Sequence, residues 1–178
     1  MTKLLCRSGR SSQVARAAAA NFLHLNARGP DTIPALLLER GMPLPCGACA
    51  CGAVRYVCAE KPLAMVNCHC TDCQRASGAP FASGFLVRKS ALTVEGEVRE
   101  YVVEIPGEQA RVVRRSFCPR CGTPLFARSS GSEQFVSVRA ATLDDQTWFR
   151  PQMDCFVRSA QPWVVLDPSI AKHATVPH

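Results

Sequence analysis

The sequence predicts a mainly β domain of short strands organised around metal-binding cysteine knuckles, with little helix. Three observations carry that reading. From Cys46 to about Asp167, short runs rich in β-branched and aromatic residues are separated by Gly-, Pro- or Asp-rich breaks. Cysteine is far above average at 11 of 178 residues, an odd number, and most of them cluster at gaps of one or two residues. Nothing alternates a strand with a long helix, as a parallel βαβ fold would require. The remaining composition is that of an ordinary globular chain, 47% apolar and 20% charged. No charge-free apolar run approaches the ~18 residues that a membrane helix needs, so no membrane partner is expected.

Along the chain, residues 1–45 form a basic leader and linker. Six basic residues (Lys3, Arg7, Arg10, Arg16, Arg28, Arg40) face only Asp31 and Glu39 over positions 1–41, so the leader holds more than half of the net charge of +7. It reads as a flexible arm. Its Arg-, Ser- and Ala-rich start also resembles an organellar transit peptide, and Met42 offers an alternative start. Pro30, Pro34, Pro43 and Pro45 mark a break before the domain at 46–167. Within it, Ala53–Cys58, Phe81–Val87, Arg99–Val103, Arg111–Phe117, Pro124–Ala127 and Phe135–Arg139 are candidate strands, and Asp72–Ser77 is one turn of helix. The tail, 168–178, has little to bury and is expected to fray.

The cysteines form three clusters: Cys49-Ala-Cys51, Cys68-His-Cys70-Thr-Asp-Cys73 and Cys118-Pro-Arg-Cys121. Two residues between ligands let both sulfurs converge on one ion at ~2.3 Å, which makes Cys-x-x-Cys a zinc knuckle. Cys49, Cys51, Cys118 and Cys121 supply the four thiolates of a closed structural zinc. Cys68, Cys70 and Cys73 supply only three, which leaves a fourth position for water or an incoming thiol, the layout of a catalytic zinc. Two zinc ions per chain follow. Other allocations stay open at this point: Cys46, Cys58, His69 or Cys155 can complete the triplet, and disulfides can join clusters. His69, between two ligands, points its ring away from their metal and is a surface group or a support to the site. Cys6, Cys46, Cys58 and Cys155 are most simply plain thiols. Arg75, just past the triplet, is a candidate contact for a substrate carboxylate or a counter-charge to the thiolates, or simply a solvated helix residue. Metal-bound thiolates place the chain in a reducing compartment, the cytoplasm, or an organelle if residues 1–41 are a transit peptide.

Gly47-Ala-Cys-Ala-Cys-Gly-Ala-Val-Arg-Tyr56, Cys68-His-Cys-Thr-Asp-Cys-Gln-Arg-Ala-Ser-Gly-Ala79 and Arg115-Ser-Phe-Cys-Pro-Arg-Cys-Gly-Thr-Pro-Leu125 resemble the glutathione-dependent formaldehyde-activating enzyme family, which also includes centromere protein V. The resemblance covers about Cys46 to Asp167. It implies several short coiled antiparallel β-sheets around zinc, with Cys49, Cys51, Cys118 and Cys121 as structural ligands and Cys68, Cys70 and Cys73 at the second, catalytic zinc. It also implies the family's reaction, glutathione plus formaldehyde giving S-hydroxymethylglutathione, a carbon–sulfur lyase run in reverse. Cys155 departs from the pattern, where similar proteins often carry a histidine before a hydrophobic pair, here Phe156-Val157.

The alternative is a non-catalytic zinc module that binds a macromolecule. The low net charge from Met42 onward argues against nucleic acid. Arg111 and Arg115 share one strand face while Arg114 points to the other, which suits solvated flanks better than a phosphate-binding stripe. No Gly-x-Ser-x-Gly or phosphate loop occurs, and the four histidines are scattered, so triad hydrolases and nucleotide-dependent classes are excluded.

Overall fold

The computed structural model describes residues 43–106 and 110–176; the expectations for positions 1–41 lie outside them. The domain is mainly β, as expected. β1 (Cys46–Ala48), β2 (Arg55–Cys58) and β5 (Leu92–Glu95) make a three-stranded antiparallel sheet in the order β1-β2-β5. The second sheet has eight strands: β3 (Ala64–Cys68), β4 (Ala82–Arg88), β6 (Arg99–Ile105), β7 (Arg111–Phe117), β8 (Pro124–Ser129), β9 (Phe135–Arg139), β10 (Met153–Cys155) and β11 (Ala171–His173). Their spatial order is β11-β10-β3-β4-β9-β8-β7-β6. It is mixed rather than purely antiparallel, because β10 runs parallel to both β3 and β11. One α-helix, α1 (Thr71–Ser77), follows β3. It starts on Cys70, whose Sγ accepts from the Cys73 amide at 3.3 Å, and stops at Gly78 with φ +66°.

The large sheet divides its residues by face. On β9, Val136 and Val138 are buried and join Phe85 and Val87 of β4 in the core; Phe135, Ser137 and Arg139 point to the other side. Phe85, Val87, Leu125 and Val138 are fully buried, each contributing about 1.5–3 kcal/mol relative to exposure. Tyr56 of the small sheet closes the core against Phe126, edge to face at 5.5 Å. Its hydroxyl donates to Thr142 Oγ1 at 3.0 Å, and Thr142 in turn donates to the Arg139 carbonyl at 2.7 Å. The buried hydroxyls are therefore satisfied.

The tail does not fray over its described length. Ala171–His173 pairs with β10, and the Phe156 amide donates to the Thr175 carbonyl. Cys46 is disulfide-bonded, which corrects its reading as a plain thiol. Cys58 and Cys155 are free and buried, and burial chiefly pushes their thiols up to about 12 and about 11.

Candidate metal centre

The four sulfurs of Cys49, Cys51, Cys118 and Cys121 lie within 4.8 Å of one another. Two separate turns bring them there. In each, a glycine with φ +72°, Gly52 or Gly122, donates its amide back to the carbonyl of the first cysteine, Cys49 or Cys118, at 2.9 Å. A side chain is strained in that conformation, which is why glycine stands at both positions. Cys49 and Cys118 are buried, Cys51 and Cys121 exposed. The Cys49–Cys51 and Cys51–Cys118 sulfur separations are 3.6 and 3.8 Å, against about 3.8 Å for the edge of a tetrahedron of sulfurs at the zinc–sulfur distance. The Val54 amide donates to Cys49 Sγ at 3.2 Å, and hydrogen bonds from Thr123 hold the Cys121 thiol down at about 5. Four soft donors at tetrahedral spacing, partly supplied with N–H donors, fit a zinc ion.

The second set is Cys68 at the end of β3, Cys70 at the start of α1 and Cys73 in its first turn, again with all sulfurs within 4.8 Å. Among the described residues no fourth Cys, His, Asp or Glu joins them at that distance, so neither His69, Cys58 nor Cys155 completes the set. The three sulfurs are unequal. Hydrogen bonds to Cys70 and Cys73 push the Cys68 thiol up, whereas hydrogen bonds from Cys68 and Cys70 hold Cys73 far below an ordinary thiol. The guanidiniums of Arg139 and Arg115 lower Cys73 further.

His69 is not a surface group: it is 1% exposed. Strand alternation explains its direction. Met65 and Asn67 of β3 face the core side while Val66 and Cys68 face the other, and the His69 ring follows Asn67. Its Nε2 donates to Asp154 Oδ1 at 3.2 Å, and its ring packs tilted on Phe81 at 5.0 Å between centroids. Asp154 also accepts from Asn67 Nδ2 at 3.0 Å and faces Lys172 Nζ at 3.5 Å. The His69 amide is bound to the Cys155 carbonyl, and the Gln74 side chain donates to the His69 carbonyl at 2.6 Å and to Ser159 at 2.8 Å. The loop that carries the three cysteines is thus pinned from behind.

In front of it a cavity of about 270 Å³ opens over the outer face of the large sheet. Its residues come from alternate positions of adjacent strands: Val66 and Cys68 of β3, Gly84 and Leu86 of β4, Ser137 and Arg139 of β9, Ala127 of β8, Arg111, Val113 and Arg115 of β7. Phe156 and Val176 close another side. Phe156 is the one non-glycine among the described residues with positive φ, +58°, and holds that conformation between β10 and the Thr175 carbonyl. Arg75 is exposed on α1 and does not line the cavity. Arg111 and Arg115 do share a face, as the strand period requires, but β7 lies between β6 and β8, and that face is the cavity wall rather than a solvated flank. Arg139 and Asp154 were not singled out by the sequence; the alternating Phe-Val-Ser-Val-Arg run of β9 carried a signal for the first.

Residues 45–159 match the family described as "Glutathione-dependent formaldehyde-activating enzyme". A relative from Halomonas elongata bearing that family's name is 28% identical over 131 residues, 68% of this chain and 80% of its own length. One from Podospora anserina bearing the same name is 24% identical over 135 residues, 69% of this chain and 62% of its own length. A crystal structure of a Rhodobacter sphaeroides protein aligns at a TM-score of 0.44 with 23% identity, covering 56% of this chain and 87% of that one.

Proposed function

The chain belongs to the glutathione-dependent formaldehyde-activating enzyme family, and on that premise we propose that it joins a small thiol to an aldehyde at the Cys68–Cys70–Cys73 set, with zinc as the metal at both cysteine sets. The observation that carries this is the contrast between the sets: one has four sulfurs, while the other has three and faces a cavity. Zinc held by three thiolates supplies, when bound, a position at which an incoming thiol loses its proton or a carbonyl is polarised.

The reaction is an addition. The thiol sulfur attacks the carbonyl carbon, a carbon–sulfur bond forms, the carbonyl π bond breaks, and the oxygen takes up the proton that the sulfur released. Glutathione and formaldehyde, the pair in the family's name, give S-hydroxymethylglutathione; the reverse is a carbon–sulfur lyase step. This chain's residues have definable parts in it. Arg115 and Arg139 offset the negative charge that accumulates on three thiolates, and the apolar walls from Val66, Leu86, Val113 and Phe156 thin out the water that competes for the aldehyde. A reducing compartment such as the cytoplasm keeps the thiols available. Among the described residues no helix is long and apolar enough to cross a membrane.

The test is zinc per chain by elemental analysis on reduced protein, with and without glutathione, alongside direct assay of S-hydroxymethylglutathione. We expect two zinc ions, one of which becomes labile or spectroscopically altered on adding glutathione. Two ions indifferent to any thiol would overturn the reading.

A further inference from the structure

The guanidiniums of Arg115 and Arg139, which share a cavity with the three sulfurs, differ from four other arginines in having no carboxylate partner among the described residues. Arg128 pairs with Glu100, and Arg114 on the opposite face of β7 lies 3.9 Å from the same carboxylate. Arg55 and Arg88 are paired with Asp144 and Glu60 at 2.8 and 2.7 Å. Arg115 and Arg139 meet no carboxylate among the described residues, although both are half-buried, and Arg139 Nε is fully buried with no hydrogen-bond partner. A buried donor left unpaired costs about 1–3 kcal/mol, so its persistence points to a partner outside the protein.

The two side chains stand on the same face of the sheet, two strands apart. Arg115 pairs across β8 with Ala127, Ala127 pairs with Ser137 of β9, and Arg139 is the next residue on the same face as Ser137. Both line the cavity that holds the three sulfurs. No Asp or Glu lines that cavity, and the rest of its wall is largely apolar. Apart from the sulfurs themselves, the charged side chains it offers are therefore cations, which suit an anion.

We infer that Arg115 and Arg139 form a carboxylate-binding subsite that makes the cavity selective for thiols bearing a carboxylate on a largely apolar body, with no requirement for an ammonium group. The planar fork of arginine suits this task, because it binds a carboxylate with two parallel hydrogen bonds and stays charged at every working pH. The inference rests on the thiol-binding reading above and adds to it the class of thiol: the carboxylate is recognised and the amine of a zwitterionic ligand is not. Arg75, outside the cavity, has no part in it.

The experiment is calorimetric titration of the zinc-loaded full chain with 3-mercaptopropionate, its methyl ester and cysteamine, a set that varies charge at nearly constant size. The acid should bind at least about tenfold more tightly than the ester or the amine, the effect of a charge-assisted hydrogen bond. R115Q and R139Q should each narrow the acid's advantage over the ester toward parity, read as the ratio of the two affinities within the same variant. R115K, which keeps the charge but loses the fork, should recover only part of the preference. Equal affinity for acid and ester in the unaltered protein, a reading that depends on no variant folding, overturns the subsite and leaves the thiol reading standing. Loss of preference in R75Q instead of in these two variants also overturns it. Failure of all three thiols to bind overturns both.

Discussion

His69 stands between two cysteines of the open set, yet its ring crosses to the other side of the sheet and ends on Asp154, itself 2% exposed. That carboxylate gathers Asn67 of β3, His69 just after it and Lys172 of β11. Asp154→Ala leaves the buried His69 ring without its acceptor and removes the partner of Asn67 and Lys172, and should cost about 3–5 kcal/mol, read as a lowered urea midpoint. Asp154→Asn keeps an accepting oxygen and should cost less than half as much; equal losses would show that the carboxylate's charge, not its acceptor, matters. The direction of the His69 ring was legible in the sequence, since neighbours in a strand face opposite ways. Its burial was not, because the partner lies 85 positions away and Asp154 sits in a three-residue strand, Met-Asp-Cys, with no β signal. The two sulfur sets were legible for the opposite reason: their members are separated by only one or two residues within each cysteine cluster of the chain.

At the scale of elements, Glu100 ties the edge of the large sheet inward. Placed on β6, it accepts from Ser116 of β7 at 3.2 Å, pairs with Arg128 of β8 and faces Arg114. Burial pushes its carboxyl up, but the Arg128 hydrogen bond and charge, with Ser116 and Arg114, outweigh this and hold it below its ordinary value of 4.5. A carboxylate depressed in the folded state contributes stability above its unfolded pKa, and that contribution is lost as pH falls through the folded value. Glu100→Gln should therefore reduce stability near neutrality slightly and flatten the fall in stability below pH 4.5, checked by urea titrations across the acid range. An unchanged acid slope would assign it to other groups. β6 to β9 and α1 were visible as patterned runs with breaks between them. β1, β10 and β11 were not, because three residues carry no period. β3 was missed because its Ala-Met-Val-Asn-Cys run is buried at one end and runs into a cysteine cluster at the other.

For the whole molecule, the two cysteine sets have different structural weight. The four-sulfur set joins the turn after β1 to the turn between β7 and β8, bridging 67 positions between Cys51 and Cys118. The three-sulfur set lies within six consecutive residues and closes almost no loop. Cys121→Ser should lower Tm by more than about 10 °C, because the zinc proposed for that set would be coupled to folding, and chelation should likewise destabilise the unaltered protein. Cys70→Ser should shift Tm by less than about 5 °C while abolishing the response to thiols. Calorimetry with metal analysis checks both, and equal unfolding by the two variants would mean the open set also holds the fold. The division of β9 between Val136 and Val138 inward and Phe135, Ser137 and Arg139 outward has a consequence for how such a protein can diverge over time. Heritable change in which small molecule is recognised needs only point replacements at alternate positions, and each leaves the neighbouring valines untouched. A single inserted residue, by contrast, exchanges the two faces at once and sends an arginine into the interior, so that lineage is removed for failing to fold before its selectivity is ever exposed to selection.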